Sequence, residues 1–288
     1  MIPLLGKNSQ LGKTFSELTH YKVQCLSSND LDLKDLNNIE ESLKYFDGKY
    51  IINCAAYNEV ENCEEDSAYS INASSLNKIA SFCKKNNKIL IHISSDYVFD
   101  GKKGKYTETD KANPINVYGL SKLMGEKNII NSGCKHIILR TSWLYSSHKT
   151  KNNFLYKIIK MAKENGVTRF YGAENLFGSP TSCLSLSEYI IDILGYLEKL
   201  GNDFTEFGIY NAVDNGRVSR HCFLSRALEL VNRHFNLDCN LIAVNDSFFK
   251  SKIKRPKDTS LINSKLSKTF GIRCIDWDNA LFNEMQKL

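Results

Sequence analysis

The sequence predicts an α/β protein, a Rossmann-type doubly wound parallel sheet with a smaller C-terminal lobe. Three observations lead to this prediction. Short and largely uncharged apolar runs alternate with longer amphipathic stretches through the first half of the 288 residues, which is typical of parallel βαβ units. A glycine-containing turn joins the first apolar run to the first amphipathic stretch. Polar residues suited to acid–base chemistry follow the fourth apolar run.

The apolar runs and the helical periodicity place the individual elements. Strands are predicted at 2–5, 22–26, 50–53, 89–94 and 136–139, and helices at 10–18, 36–46, 66–86 and 117–130. Beyond Thr141 the pattern is less regular, with helices predicted at 153–165, 185–200, 219–234 and 276–287 and strands near 168–170 and 208–211. We therefore expect a Rossmann domain over 1–145, to which later segments return, and a second lobe that is formed mainly by 146–288.

Composition excludes several classes of protein. The net charge of +6 is spread along the chain without blocks of like charge, so we do not expect a nucleic-acid partner. The nine cysteines include no C-x-x-C pair, which indicates reduced thiols in a cytoplasmic protein rather than disulfides or metal ligands. No apolar run approaches the roughly 18 residues that cross a bilayer. We expect no membrane partner and no metal.

The turn after the first strand is a candidate phosphate-binding loop. It reads G-K-N-S-Q-L-G from Gly6 to Gly12, with Ser9 where a glycine is usual. Backbone amides at such a turn, with a helix dipole behind them, bind the pyrophosphate of a dinucleotide. Pro3 lacks an amide hydrogen and therefore fits only at the beginning of a central strand.

The residue that would contact the ribose is not settled by the sequence. Asp32 lies about 20 residues beyond Gly12, where a ribose-binding acid is common, and Asp30 is close by. The second strand, however, ends at Ser27 and Ser28, with neither a carboxylate nor an arginine at its tip. The choice between NADH and NADPH stays open.

A proton-transfer site is predicted where the fourth strand ends and the following helix begins. Ser95 ends the strand, and Tyr118 and Lys122 lie one turn apart on one face of the helix. An ammonium group near a phenol stabilises the phenolate and lowers the pKa of the phenol. The three groups together supply a proton to an alkoxide that forms when a carbonyl accepts a hydride from a nicotinamide.

At this point the sequence resembles the dTDP-4-dehydrorhamnose reductase family of extended short-chain dehydrogenases. The resemblance extends over almost the whole chain. The motifs that carry it are NCAAY at Asn53, HISSDYVFDG at His92, YTETD at Tyr106, PINVYGLSKLMGE at Pro114, RTSWLY at Arg140, NNF at Asn152, ENLFGSPT at Glu174 and KRP at Lys254.

The resemblance implies reduction of the C4 keto group of a nucleotide-linked 4-keto-6-deoxyhexose by NADPH or NADH, in deoxysugar biosynthesis for a surface polysaccharide. It implies the catalytic residues Ser95, Tyr118 and Lys122. The cofactor-binding residues that it implies, together with those of the turn, are Gly6, Lys7, Ser9, Gln10, Leu11, Gly12, Asp32, Leu33, Ala55, Ala56, Tyr57, Tyr118 and Lys122. The substrate-binding residues are Asn58, Ser95, Asp96, Tyr97, Trp143, Lys254 and Arg255.

Departures from the family pattern leave the sugar undefined. Asn58 replaces a threonine next to the sugar site, and Glu59 adds a negative charge beside it. Thr14 stands where some members have a glutamate that contributes to a metal-bridged dimer, so neither that metal nor that dimer is transferred. The oligomeric state stays open, a homodimer included.

Two other functions are compatible with the same fold. One is a non-catalytic regulatory subunit, because fold alone does not confer activity. The other is a sugar-nucleotide epimerase or dehydratase, which is disfavoured because Asp96 is followed by Tyr97 rather than by a second carboxylate. His92 is predicted to be a packed core imidazole. The acidic residues Glu61, Glu64, Glu65 and Asp66 are predicted to form the solvated entrance to a helix.

Overall fold

The computed structural model describes residues 1–61, 63, 65–150 and 153–288. Asn152 of the NNF motif and Glu64 of the acidic cluster lie outside the described residues. The strands are β1 (Ile2–Leu5), β2 (Val23–Leu26), β3 (Tyr50–Asn53), β4 (Ile89–Ser95), β5 (Lys135–Thr141), β6 (Leu144–Tyr145), β7 (Arg169–Ala173), β8 (Phe177–Gly178), β9 (Thr181–Ser182), β10 (Gly208–Asn211), β11 (Val218–Ser219) and β12 (Asn240–Val244).

A six-stranded sheet in the order β10-β5-β4-β3-β1-β2 forms the centre of the molecule. Every pair of neighbours in this sheet is parallel. The α/β fold with a parallel sheet is therefore confirmed. The chain order reverses between β1 and β3, and the carboxyl ends of strands at such a reversal open a crevice that binds ligands.

Helices lie on both sides of this sheet and in the C-terminal lobe. They are α1 (Gln10–Leu18), α2 (Ile39–Leu43), α3 (Glu65–Tyr69), α4 (Ser75–Lys85), α5 (Val117–Ser132), α6 (Phe154–Ile159), α7 (Cys183–Leu200), α8 (Arg220–Phe235), α9 (Ser264–Phe270) and α10 (Trp277–Met285). None of the helices in the described part of the chain has both the length and the apolarity needed to span a membrane.

Each face of the central sheet carries its own apolar core. One core joins the sheet to α1, α7 and α9 through residues such as Phe15, Ile190 and Phe270. The other joins it to α2, α4 and α5 through residues such as Leu43 and Ile79. The strands are buried along their whole length at β1, β3 and β4, which explains why they read as continuous apolar runs.

A third core lies in the C-terminal lobe. Fully buried Phe223 of α8 packs there against α6, α10 and the pair formed by β7 and β12. Two elements of the second half nevertheless belong to the sheet domain, since β10 pairs with β5 and α7 packs against α1. The division of the chain at residue 145 stays a prediction.

Several elements differ from the sequence prediction. The helix predicted at 66–86 is divided into α3, a π-helical turn at Ser70–Ser74 and α4. The helix predicted at 36–46 is confined to Ile39–Leu43. Helix α9 and the strands β6, β8, β9, β11 and β12 were not predicted. Four of these strands have two residues, which is too short for an alternation of apolar and polar residues to register.

Pro3 sits inside a central strand without breaking its ladder. It is the second residue of β1 and pairs with Gln24 on the β2 side. Pairing with β3 on the other side begins only at Leu4. The position of Pro3 near the beginning of the strand therefore agrees with the restriction that its missing amide hydrogen imposes.

A buried ion pair joins β4, β5 and α5. Arg140 of β5 donates through Nε and Nη2 to the two carboxylate oxygens of Glu126 on α5, at 2.9 and 2.7 Å. The hydroxyl of Ser94, at the end of β4, donates to the same carboxylate at 2.6 Å. Both charged side chains are at most 4% exposed. The cluster fixes the end of β4 against the helix that follows it.

Removing one partner of this ion pair is expected to destabilise the fold. Glu126→Ala leaves the Arg140 guanidinium buried and without its counter-charge, which typically costs about 3–5 kcal/mol. The free energy of unfolding in urea measures the effect. The matched control is Glu41→Ala, because that glutamate is 58% exposed and pairs with Lys44 at the surface. A loss for Glu126→Ala no larger than for the control would contradict the structural role of the pair.

Candidate active site

A deep cleft lies along the carboxyl edge of the central sheet. Its volume of about 1650 Å³ exceeds the roughly 300–1,000 Å³ of most small-molecule sites, so there is room for a dinucleotide and a second ligand. One half is lined by the ends of β1, β2 and β3, and the other by residues of α6, α8 and the segment 246–257. The ends of β4 and α5 lie between the two halves.

The turn between β1 and α1 lets two backbone segments approach closely. Gly6 has a φ of 90°, and a Cβ built on it would lie 2.6 Å from the nitrogen of Ala55. A Cβ on Gly12 would lie 2.3 Å from the carbonyl oxygen of Gly6. Ser9 is the N-cap of α1, and its Oγ accepts a hydrogen bond from the Gly12 amide at 2.9 Å. A pyrophosphate would therefore meet a closely packed turn at a helix N-terminus.

Not every predicted residue of this turn faces the cleft. The lining includes Gly6, Ser9, Gln10 and Leu11, but not Lys7 or Gly12. The side-chain amide of Gln10, which lines the cleft, donates to the carbonyl oxygen of Leu144 at 3.1 Å. This bond ties the first turn of α1 to β6, whose Leu144 also lines the cleft.

The tip of β2 forms one end of the half that β1, β2 and β3 line. Ser27, Ser28, Asp32 and Leu33 line it. Asp30 turns back on the chain, because its carboxylate accepts from both the amide and the hydroxyl of Ser27, at 2.8 and 2.7 Å. These bonds lower the pKa of Asp30. Asp32 accepts from the amide of Lys34 at 2.9 Å.

The loop after β3 is held in place by a side chain of the π-helical turn at Ser70–Ser74. The side chain of Asn72, in the π-helical turn, accepts from the Tyr57 amide at 2.8 Å and donates to the Tyr57 carbonyl at 2.9 Å. It also donates to Ser121 of α5 at 3.0 Å. Ala55, Ala56 and Asn58 line the cleft, whereas Tyr57 does not. A π-helical turn at such a position is typical of functional sites.

Ser95 and Tyr118 meet where β4 ends and α5 begins. Burial raises the pKa of the Tyr118 phenol. The side chain of Ser95 lies within hydrogen-bonding reach of this phenol and opposes the shift. Ser95 Oγ donates to Asp96 at 3.0 Å and accepts from the Tyr97 amide at 3.2 Å. Asn116 caps α5 by accepting from the Gly119 amide at 2.8 Å, which fixes the first turn that carries Tyr118.

The pKa of Tyr118 is not lowered, as the sequence analysis expected from Lys122, but is raised by burial. Lys122 Nζ donates to the carbonyl oxygen of Ile93 at 2.7 Å and lies 3.4 Å from Nε2 of His92. Burial lowers the pKa of Lys122 to about 8, opposed by the negative charge of Glu126. Burial, in contrast, raises the pKa of Tyr118. The ammonium is drawn to β4 because the Ile93 carbonyl offers it a buried acceptor.

His92 is buried, as predicted, but it also contacts site residues. It is 1% exposed, and its Nδ1 lies 3.3 Å from the side-chain nitrogen of Asn53. Burial and the charge of Lys122 lower the pKa of His92 well below its ordinary value. The imidazole is therefore neutral at neutral pH and accepts or donates hydrogen bonds beneath Lys122.

Glu61 does not belong to the solvated entrance of α3, which corrects a second prediction. Its carboxylate accepts from the hydroxyl of Ser251, the amide of Lys252 and the guanidinium of Arg255, at 2.9, 2.8 and 2.8 Å. The bond to Arg255 is the main reason why the pKa of Glu61 is lowered. Glu65 and Asp66 do lie in the first turn of α3.

The half of the cleft lined by α6, α8 and the segment 246–257 has an aromatic and cationic wall. The ring of Tyr97 lies edge-on to Tyr118, with centroids 5.6 Å apart. Burial raises the pKa of Tyr97, and the charge of Arg255 opposes that shift. Trp143 has a strained φ of 45°. The guanidinium of Arg220 lies 3.6 Å from the centre of a Trp143 ring. The predicted substrate residues that line the cleft are Asn58, Ser95, Asp96, Tyr97, Trp143, Lys254 and Arg255.

Sequence reasoning missed Arg220 and the surroundings of Asp96. The buried Asp96 carboxylate accepts from Ser142 at 2.8 Å and from Thr259, two residues far apart in the chain that no local pattern connects. The sequence position of Arg220 could nevertheless have indicated a functional role. It follows the N-cap Ser219 in the first turn of α8, where the helix dipole disfavours a cation, and a locally unfavourable residue often marks a functional position.

Comparison with known proteins assigns the chain to a family. The family model described as "RmlD substrate binding domain" matches residues 1–288. The chain belongs to the dTDP-4-dehydrorhamnose reductase family. It is 31% identical to the dTDP-4-dehydrorhamnose reductase of Aggregatibacter actinomycetemcomitans, over 97% of this chain and 96% of that protein. The family resemblance of the sequence motifs is thus confirmed.

A further relative and a solved structure support the assignment. The spore coat polysaccharide biosynthesis protein SpsK of Bacillus subtilis is 28% identical, over 93% of this chain and 89% of that protein. The crystal structure of dTDP-4-dehydrorhamnose reductase from Bacillus anthracis in complex with NADP superposes with a TM-score of 0.89 at 27% identity, covering 100% of this chain and 99% of that chain.

Substitution of Gly12 is expected to weaken NAD(P)H binding. In Gly12→Ala the new methyl group meets the carbonyl oxygen of Gly6 at 2.3 Å, so the turn has to open. We expect the dissociation constant to rise at least about tenfold, equivalent to ~1.4 kcal/mol, in a titration of nicotinamide fluorescence.

The matched control is Gly195→Ala in α7. The nearest atom to a Cβ at that position is the Tyr21 hydroxyl, 3.8 Å away, so the helix gains the better helix former without strain. Affinity for NAD(P)H should stay unchanged in this variant. Equal affinities of the two variants would exclude the turn as the pyrophosphate site.

Proposed function

We propose that this protein transfers a hydride from NADPH or NADH to the C4 keto group of a nucleotide-linked 4-keto-6-deoxyhexose. The product would be a deoxysugar nucleotide for the synthesis of a surface polysaccharide. In this proposal residues 1–145 mainly bind the cofactor and residues 146–288 mainly bind the sugar nucleotide. The observation that carries it is the meeting of Ser95 and Tyr118 in a two-part cleft of a chain that belongs throughout to this reductase family.

The residues of the cofactor half fit a nicotinamide dinucleotide. The close approach at Gly6 leaves no space for a side chain between the turn and the loop after β3, so a ligand meets backbone amides directly. The apolar side chains of Leu31 and Leu33 are buried beside the β2 tip, where an adenine ring would lie. When bound, the reduced nicotinamide supplies the hydride and the protein supplies position and a proton. One relative is crystallised with NADP.

The proton is assigned to the hydroxyl of Tyr118. Because burial raises the pKa of this phenol, it carries its proton at neutral pH and donates it to the oxygen that becomes an alkoxide at C4. Ser95 binds the same oxygen, and for this its hydroxyl turns away from Asp96. Lys122, a buried cation beneath the site, stabilises the negative charge that remains on Tyr118.

The surroundings of Asp96 favour a reductase over a dehydratase. A dehydratase needs an additional acid–base pair beside the serine. The Asp96 carboxylate accepts hydrogen bonds from Ser95, Ser142 and Thr259, so it is engaged in holding the site together. A non-catalytic role is disfavoured because both hydroxyls of the proposed proton-transfer pair are present at the cleft.

A cytoplasmic location fits this function, since the proposed coenzyme and sugar nucleotides are cytoplasmic metabolites. The nine cysteines, all within the described part of the chain, are unpaired, which fits a reducing compartment. A homodimer stays a prediction.

Loss of the Tyr118 hydroxyl should abolish most of the reductase activity. Proton donation by a positioned group contributes about 10²- to 10⁴-fold, so kcat for Tyr118→Phe should fall by that factor while NADPH binding persists. The assay follows NADPH absorbance with dTDP-4-dehydrorhamnose. Tyr45→Phe is the matched control, because that side chain is 76% exposed and lies outside the cleft. Wild-type turnover in Tyr118→Phe would refute the proton assignment.

The pH profile should report the ionisation of Lys122. Its pKa of about 8 means that the ammonium loses its charge as the pH rises through 8. We expect kcat/KM to fall above that pH, because this parameter reflects ionisations of the free enzyme. In Lys122→Arg the positive charge persists to high pH, so any residual activity should lack this decline. The same decline in both proteins would exclude Lys122 as its cause.

A further inference from the structure

Arg220 is a cation in the substrate half of the cleft, at a position that the proposed mechanism does not use. Its backbone amide donates to the carbonyl of Leu176 at 2.8 Å, and its side chain extends over two aromatic rings. The guanidinium carbon lies 3.6 Å from the centre of a Trp143 ring and 4.9 Å from that of Phe154. All four residues line the cleft.

This guanidinium has no ionic partner among residues 1–61, 63, 65–150 and 153–288. By contrast, Arg255 of the same wall pairs with Glu61, and Arg217 pairs with Asp258, each at 2.8 Å. Asp96 attracts Arg220 electrostatically, but its carboxylate accepts its hydrogen bonds from hydroxyls instead. The planar N–H groups of Arg220 are therefore available to a ligand.

Arg220 carries this charge under unfavourable conditions. Burial and the nearby charge of Arg255 lower the pKa of Arg220 to about 10, so the side chain is still protonated at neutral pH. Its location in the first turn of α8 adds an unfavourable interaction with the helix dipole. A half-buried cation that is opposed by desolvation, by a second cation and by a dipole is expected to have an anionic ligand.

The stacking on Trp143 orients the group. A guanidinium that lies flat on an aromatic ring keeps its edge free for two parallel hydrogen bonds, the geometry that matches a phosphate or a carboxylate. The same stacking covers part of Trp143, which the family resemblance places beside the sugar. Gly178 lies against that indole as well, since a Cβ there would be 2.4 Å from a ring atom. In this chain the indole of Trp143 is therefore covered by Arg220 on one side and contacted by Gly178.

We propose that Arg220 is a substrate-binding residue that binds an oxyanion of the sugar nucleotide, together with Arg255. This inference rests on the proposed function and assigns the substrate contact of α8. The oxyanion has two chemical sources: the diphosphate that every nucleotide sugar contains, or a carboxylate on the sugar itself. The diphosphate is the source that we expect, because the substrate class named above contains no other anionic group.

Binding of thymidine diphosphate tests this proposal without relying on turnover. Calorimetric titrations compare the wild type with Arg220→Gln and Arg220→Lys, using thymidine diphosphate and thymidine as probes. A hydrogen bond to a charged group corresponds to about 10- to 100-fold in affinity, so we expect that loss for thymidine diphosphate in Arg220→Gln and an unchanged affinity for thymidine. Arg220→Lys should fall between, because it keeps the charge and loses the planar fork.

The matched control is Arg233→Gln on the same helix. This side chain is 73% exposed and does not line the cleft, so thymidine diphosphate affinity should stay at the wild-type level. NADPH affinity should be unchanged in all these variants, which separates a local loss from a general disturbance of the fold. Circular dichroism and the melting temperature provide the check on folding.

A second pair of probes distinguishes the sources of the oxyanion. UDP-glucuronate and UDP-glucose share a diphosphate and differ by a carboxylate. An equal loss of affinity for both in Arg220→Gln supports the diphosphate, and a loss confined to UDP-glucuronate supports a sugar carboxylate. Unchanged affinity for every anionic probe would overturn the proposal. If the wild type binds thymidine diphosphate through Arg220 and yet reduces no keto sugar, the proposed function fails and the anion site stands.

Discussion

The buried carboxylate of Glu126 determines how the proposed reaction site is assembled. It binds Arg140 of β5 through two hydrogen bonds and Ser94 of β4 through a third. Ser94 and Ser95 are adjacent on a strand, so their side chains point in opposite directions. Because Ser94 is bound to α5, the side chain of Ser95 points the other way, into the cleft. There it lies beside the first turn of α5, which carries Tyr118. The cluster thus holds together β4 and α5, the two elements that carry these hydroxyls.

The cleft results from two different constraints on its two sides. On the cofactor side the constraint is backbone packing, because Gly6 and Gly12 occupy positions where any Cβ would collide with neighbouring backbone. On the substrate side the constraint is electrostatic. Glu61 holds the segment from Ser251 to Arg255 by several hydrogen bonds, while Arg220 keeps its charge on an aromatic support. The first side suits a common coenzyme, and the second is where a particular sugar nucleotide would be distinguished.

Much of the fold could be predicted from the sequence because its strands are buried on both faces. β1 and β3 have the predicted bounds, since an uninterrupted apolar run has a clear beginning and end. The π-helical turn at Ser70–Ser74 could not be predicted, because it arises from the contact of Asn72 with the Tyr57 loop and with α5. Helical periodicity does not record a tertiary contact of this kind.

The site was predictable where the order of consecutive elements brings residues together and unpredictable where a tertiary contact decides a side chain's position. Ser95 and Tyr118 could be paired through the order of a strand and its following helix. The position of Lys122 could not be deduced, because the carbonyl of Ile93 competes for the ammonium. The role of Glu61 was missed because its partners lie almost 200 residues away along the sequence, at 251–255. Long-range ion pairs have no local sequence signature.

The central claim is that Ser95 and the phenol of Tyr118 share one oxygen of the substrate. A crystal structure of the Tyr118→Phe protein with NADPH and dTDP-4-dehydrorhamnose tests it most directly, since the complex should persist without the proton donor. The account predicts the C4 carbonyl oxygen at about 3 Å from Ser95 Oγ, within hydrogen-bonding distance, and directed towards the ring at position 118. A sugar bound with that oxygen directed away from both residues would contradict the account.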